Sequence, residues 1–143
     1  MKPQETLDYH FRKLWHGISR IYNAEAQKHD QTMSMGFALL SIEKDGTPST
    51  HLGPRMGMEP RSLTRMIKNL EQRGYIEKKQ DTEDRRIVKI YLTDEGNEVR
   101  KQVRSAVIKF NKHVQSKIAE DDLKTFFRVC NQLGDVIEEN NIF

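Results

Sequence analysis

The stretch "YIEKKQDTEDRRIVKIYLTDEG", Tyr75 to Gly96, changes the period of the chain from that of a helix to that of a strand. Its two runs "YIEKKQ" and "IVKIYL" are strand candidates, and the polar, charged "DTEDRR" between them makes an antiparallel hairpin with its tip near Asp81 to Asp84. On an extended chain residues i and i+2 face the same way, so Asp84 and Arg86 lie side by side while Arg85 points to the other face. The acid can then hold the arginine. A solubilising turn has the same composition, and a surface ion pair contributes only about 0–1 kcal/mol.

Upstream stands "TPSTHLGPRMGMEPRSLTRMIKNLEQRGY", Thr47 to Tyr75. Thr47 followed by Pro48 reads as an N-cap with proline at the first helical position, which needs no amide hydrogen. That helix reaches about Met56, Gly57 supplies a turn, and Glu59-Pro60 opens a second helix buried through Leu63, Ile67 and Leu70. Gly74 closes it after Arg73. Two short helices around a glycine-bearing turn form a helix-turn-helix, and the hairpin that follows is a wing. Gly53-Pro54 departs from an unbroken first helix, because an interior proline costs about 3 kcal/mol, so a kinked or short helix is expected there. Gly53 offers the small side chain that a close helix crossing needs.

On the second helix of this motif Arg61, Ser62, Thr64, Arg65 and Lys68 project away from the apolar side. Cationic and small hydrogen-bonding groups on one helix suit a DNA major groove, where they can read base edges and bind phosphates. An ordinary solvated helix carries similar charges. At the wing, Arg86 held by Asp84 suits a narrow minor groove, where negative potential is focused, and Arg85 can meet backbone phosphate.

The flanking segments are helical. From about Glu5 to Lys28, Leu7, Phe11, Leu14, Trp15, Ile18, Ile21 and Tyr22 recur at spacings of three and four. A second run, Ser34 to Lys44, carries Phe37, Leu40 and Ile42 and stops at Asp45-Gly46, where Gly46 can take a left-handed cap. Beyond the wing, Thr93 can cap a helix striped by Val99, Val103, Val107, Phe110, Val114 and Ile118. A last helix from about Glu120 places "AEDD" at its positive end and continues through Leu123, Phe126, Phe127, Cys130, Leu133 and Ile137. The fold class is mainly α with a small β-hairpin wing.

Composition fits this reading. The 143 residues are 36% hydrophobic and 31% charged, enough for one domain with a core. The net charge of +3 is unevenly placed: residues 55–89 hold 10 lysines and arginines against 6 acids, an excess that can meet a polyanion. No apolar run approaches the roughly 20 residues that span a bilayer, and "MKPQETLDYHFRK" has no apolar signal core, so a cytoplasmic location is expected. Cys130 is the lone cysteine, which excludes an intramolecular disulfide and a cysteine-rich zinc site. His10, His16, His29, His51 and His113 show no metal-site spacing. Neither a phosphate loop nor a nucleophile elbow or dinucleotide fingerprint is present, so neither enzyme activity nor a cofactor is expected.

With these residues in view, "SLTRMIKNLEQRGYI", Asp84-Arg85-Arg86, Leu92-Thr93 and Gly96 resemble the MarR family of bacterial transcription regulators, with the likeness most specific over residues 47–96. The resemblance implies one domain in which residues 1–30 and 97–143 supply dimerisation helices and residues 31–96 the winged helix-turn-helix lobe. It implies a homodimeric, ligand-responsive repressor, with its two lobes on successive major grooves of a pseudo-palindrome and wing arginines in the flanking minor grooves. The three amphipathic helices have little partner surface within so small a chain, and the terminal "NNIF" adds two apolar residues that can pack in the same interface. By the same resemblance Trp15, His16, Arg20, Met33 and Phe37 line a pocket for a small aromatic or phenolic effector, although a tryptophan on an apolar stripe is more often core. Redox-sensing relatives place a cysteine in the first helix, where this chain has none. The alternative is a winged-helix protein-interaction module whose basic surface meets acidic protein without specific DNA binding.

Overall fold

A computed structural model of the chain describes residues 1–139; Ile142 and Phe143, expected to pack at a dimer interface, lie outside the described residues. A single turn of 3-10 helix, Pro3–Glu5, precedes α1 (Leu7–Gln27) and α2 (Met33–Ser41). Then follow β1 (Thr47–Pro48), α3 (Ser49–Met56), α4 (Pro60–Gln72), β2 (Ile76–Gln80), β3 (Val88–Leu92), α5 (Asp94–Gln115) and α6 (Glu120–Glu138). The chain is mainly helical, with one antiparallel sheet in the order β1-β3-β2. Residues 1–106 form one compact unit and the described residues from Val107 to Glu139 a second.

Local chemistry sets most boundaries. The Thr32 hydroxyl caps α2 by accepting the Met35 N–H at 3.2 Å. Pro60 occupies the first turn of α4, and Gly74 at φ +74° ends it, a conformation that glycine adopts without steric cost. Thr93 caps α5 by accepting the Gly96 N–H at 3.0 Å. The wing hairpin pairs Ile76 with Leu92, Lys78 with Ile90 and Gln80 with Val88.

Two sequence-based boundaries are corrected. Thr47 does not cap a helix: it lies in β1 opposite Ile90, wholly buried, with its hydroxyl accepting the Glu43 N–H at 2.9 Å. Pairing with the sheet overrides the capping pattern, and α3 starts at Ser49. Helix α2 ends at Ser41 rather than Lys44, because Ile42 turns to φ -85°, ψ 124° and enters the core at 1% exposure. Gly46 does take positive φ, +85°, but in the turn after Glu43 and under the Tyr91 ring, which a Cβ would strike.

The core belongs to the winged lobe. Leu39, Ile42, Leu52, Leu70, Ile76 and Ile90 are buried there with Met35, Ala38, Met66 and Ile67, and each large aliphatic side chain so buried contributes about 1.5–3 kcal/mol. In α2 the fully buried residue is Leu39, while Phe37 and Leu40 are only half-buried. Helix α3 is short and contains Pro54, with Gly57 at φ +61° as its left-handed cap. Gly53 makes the expected close approach: a Cβ there would stand 3.3 Å from the Leu63 side chain of α4.

The first and last helices differ. No residue of α1 or α6 is buried. On α1, Leu7, Phe11, Leu14, Trp15 and Ile21 are each between 43% and 56% exposed. In the second unit Phe126, Phe127, Val136 and Ile137 are exposed, and Cys130 is half-buried on the stripe of α6.

One joint ties the lobe together. The Thr93 hydroxyl donates to the Gly74 carbonyl at 2.5 Å, and the Thr93 N–H donates to the Tyr75 carbonyl at 3.1 Å. Gly96 packs directly on that same Tyr75 carbonyl, leaving no room for a Cβ. Gly96→Ala must push α5 off the start of the wing, and is expected to destabilise the chain by about 1–3 kcal/mol in urea unfolding. An unfolding midpoint equal to wild type would show that this close approach does not constrain the fold.

Candidate nucleic-acid interface

Helix α4 divides into two sides. Met66, Ile67 and Leu70 are buried in the core and Leu63 is half-buried against it. Arg61, Ser62, Thr64, Arg65 and Lys68 are all exposed. Arg61, Arg65 and Lys68 follow at i, i+4 and i+7, so they line one face of the helix. Among the described residues none of the three joins an ion pair. Their charge is therefore available to an external anion. The Thr64 hydroxyl donates to the Pro60 carbonyl at 2.8 Å, which leaves its lone pairs to accept from a ligand.

At the wing the structure joins Asp84 and Arg86, but by a different route from strand alternation. Residues 81–87 lie outside both strands. The Ile87 N–H donates to the Asp84 carbonyl at 3.0 Å, closing a turn with Arg85 and Arg86 at its centre. One Asp84 carboxylate oxygen accepts both the Arg86 N–H and its Nε–H, each at 3.0 Å, and the other accepts from the terminal guanidinium nitrogen at 2.9 Å. This is an aspartate turn with a bidentate arginine clamp. The guanidinium bonds, and after them the backbone N–H, hold the Asp84 carboxyl below the usual carboxylate range, and Asp84 in turn raises Arg86. The Arg86 side chain is still 90% exposed, so it is oriented without being covered. Arg85 is exposed and forms no ion pair among the described residues.

The residues expected to line an effector pocket are only partly assembled. An open concavity of about 760 Å³ along α1 is lined by Tyr9, Arg12, Lys13, Trp15, His16 and Ser19. Trp15 stacks on Phe37 with ring centres 6.4 Å apart, and Tyr22 meets the Phe37 edge at 6.0 Å. Arg20 is exposed, Met33 and Phe37 are half-buried, and none of the three lines this concavity.

Two arginines brace the lobe in ways that the sequence pattern does not signal. Arg55 of α3 donates to the Ser41 carbonyl at 3.1 Å and to Glu43 at 3.0 Å. Arg73, at the end of α4, donates to the Asp30 carbonyl at 2.7 Å and to Asn69 Oδ1 at 2.8 Å. A cation in the last turn of a helix is ordinary. Nothing in the sequence pairs Arg73 with a residue 43 positions away.

A helix-turn-helix followed by a three-stranded wing, with unpaired cations on the second helix and a clamped arginine at the tip, defines a winged-helix protein of the nucleic-acid-binding type of architecture. Residues 32–88 of the chain match the model of the MarR family. The chain is 32% identical over 82 residues to the HTH-type transcriptional regulator TtmR of Methylorubrum extorquens, covering 57% of this chain and 42% of that one. It is 27% identical over 106 residues to the HTH-type transcriptional regulator BilQ of Clostridioides difficile, covering 73% and 72%. The match thus spans less than half the length of TtmR. Its fold is that of S. aureus MepR as solved in a MepR-DNA complex, with a TM-score of 0.82 and 19% identity over 92% of this chain and 98% of that one.

The wing clamp has a pH signature. A carboxyl whose folded pKa is depressed adds stability above its ordinary pKa and loses it as pH falls through the folded value. Carbon NMR of the Asp84 carboxyl is expected to show a midpoint below the usual aspartate range, and Arg86→Ala is expected to return it upward. An Asp84 midpoint unmoved by Arg86→Ala would mean that the clamp is not formed in solution.

Proposed function

We propose that the chain is a sequence-specific double-stranded DNA-binding transcriptional regulator, acting as a homodimeric, ligand-responsive repressor on a pseudo-palindromic operator. One observation carries the reading: α4 buries one side in the core while Arg61, Arg65 and Lys68 stand, among the described residues, unpaired on the other. In this reading α4 enters the major groove, where Arg61, Ser62, Thr64, Arg65 and Lys68 meet bases and phosphates. Arg86, oriented by Asp84, enters the adjacent minor groove, and Arg85 meets the backbone. The named roles of TtmR and BilQ as transcriptional regulators, and the MepR-DNA complex, support the same assignment.

The dimer is supported by the apolar faces that a single chain leaves open. Five large apolar residues of α1 are exposed, and α6 by itself exposes Phe126, Phe127, Val136 and Ile137. A second copy of the same surfaces would remove them from water. Recognition helices in such a dimer meet major grooves about one DNA turn, roughly 34 Å, apart. Effector binding is supported by the concavity on α1, where Trp15 and Tyr9 offer aromatic surface and Arg12, Lys13 and His16 offer charge or hydrogen bonds to a small aromatic anion or phenol. The cytoplasmic location follows from this function, and no helix among the described residues is long and apolar enough to cross a membrane.

Fluorescence anisotropy against duplexes tiled across the chain's own upstream region, in a salt series, tests the assignment. A single tight site is expected, with affinity falling steeply as salt rises through counterion release. Arg86→Ala and Arg65→Ala are each expected to weaken binding about tenfold, roughly 1.4 kcal/mol, and to lower the salt slope by about one for each phosphate no longer neutralised. Folded variants that bind as well as wild type would remove the wing or α4 from the interface. Weak binding, equal for duplexes selected from a random pool and for unrelated ones, would favour the protein-interaction module.

A further inference from the structure

We propose that Arg73 is a positioning residue for DNA recognition, which fixes the C-terminal end of α4 against the turn that ends α1; this rests on the DNA-reading role proposed for α4. The other cations of α4 face solvent, but the Arg73 side chain is 31% exposed and its guanidinium is engaged on two sides. One terminal nitrogen donates to the Asp30 carbonyl at 2.7 Å and stands 3.5 Å from the Asp30 carboxylate, while Nε donates to Asn69 Oδ1 at 2.8 Å. Asn69 lies one turn earlier on α4, so the guanidinium is held to its own helix and to Asp30 at once. Arginine's planar fork suits two acceptors in fixed directions, whereas a lysine ammonium on a flexible stem does not reproduce that geometry.

Asp30 is a specific anchor. It is the one non-glycine residue with positive φ among the described residues, at +55°. Its own N–H donates to the Gln27 carbonyl, and the next N–H, of Gln31, returns to Ala26. Asn23 of α1 accepts the Met33 N–H at 3.0 Å, which ties the start of α2 to the same helix end. The turn is thus fastened to α1, and Arg73 fastens α4 to the turn. Because α1 also carries the Tyr9-to-Ser19 concavity and the open apolar face, a shift of α1 on binding a small molecule or a second copy reaches the DNA-reading helix through Arg73.

The test uses the full chain, a duplex selected by it from a random pool, and a scrambled duplex at the same salt. Arg73→Ala and Arg73→Lys are expected to weaken binding to the selected duplex at least tenfold, while binding to the scrambled duplex and its salt slope stay as in wild type. A loss of fold would depress both together. Asp30→Gly keeps the carbonyl and suits the positive φ, so it is expected to bind the selected duplex within about twofold of wild type. Wild-type discrimination by Arg73→Ala, or equal losses on both duplexes, would overturn the assignment. If wild type itself does not discriminate, the DNA-reading role falls and the tie is judged alone by hydrogen exchange of the free protein. Arg73→Ala should then speed exchange of the Gln31 and Gly74 amides about tenfold, and unchanged exchange would refute it.

Discussion

The lobe depends on a small joint where four segments meet at two peptide groups. Thr93 bonds through its hydroxyl to Gly74 and through its N–H to Tyr75, and it also caps α5. The same threonine therefore fixes the exit of α4, the first residue before β2, the end of β3 and the entry to α5. Gly96 lets α5 sit on the Tyr75 carbonyl. Without that close approach the wing could not fold back beside the helix it follows, and an arginine at its tip would have no defined position relative to α4.

Electrostatics then separates residues that brace from residues that remain free. Arg55 and Arg73 are used within the lobe, joined to Glu43, Ser41, Asp30 and Asn69. Lys78 pairs with Glu71, Lys79 with Glu77 and Lys89 with Asp81. Among the described residues, what remains unpaired in the basic middle of the chain is Arg61, Arg65 and Lys68 on α4 and Arg85 at the wing. Arg86 is a third case, paired but almost fully exposed. An exposed guanidinium that is already oriented loses less conformational entropy on binding than a free one, which is the physical value of Asp84 in a DNA-binding wing.

Much of this was legible in the sequence. The glycine at 74, the period change after it and the apolar set of α4 together specify a helix-turn-helix followed by a wing. The pairing of Asp84 with Arg86 was also legible, although the reason was not: a tight aspartate turn produces it, and alternation along a strand does not. Thr47-Pro48 misled because a cap and a short buried strand use the same residues, and only the partner Ile90 decides between them. Arg73 was invisible because its partner is set by tertiary structure. The concavity on α1 brings Trp15 and His16 together with Tyr9, Arg12 and Lys13 and leaves out Arg20, Met33 and Phe37; a helical stripe shows which residues share a face but not which of them border a hollow.

The most direct test of the central claim, that α4 and the wing read DNA together, is hydroxyl-radical footprinting of the full chain on a duplex selected from a random pool. Two protected patches about one helical turn apart are expected, each flanked by minor-groove protection that disappears with Arg86→Ala while the central patches persist. A footprint with no flanking protection, or one that Arg86→Ala leaves intact, would contradict it.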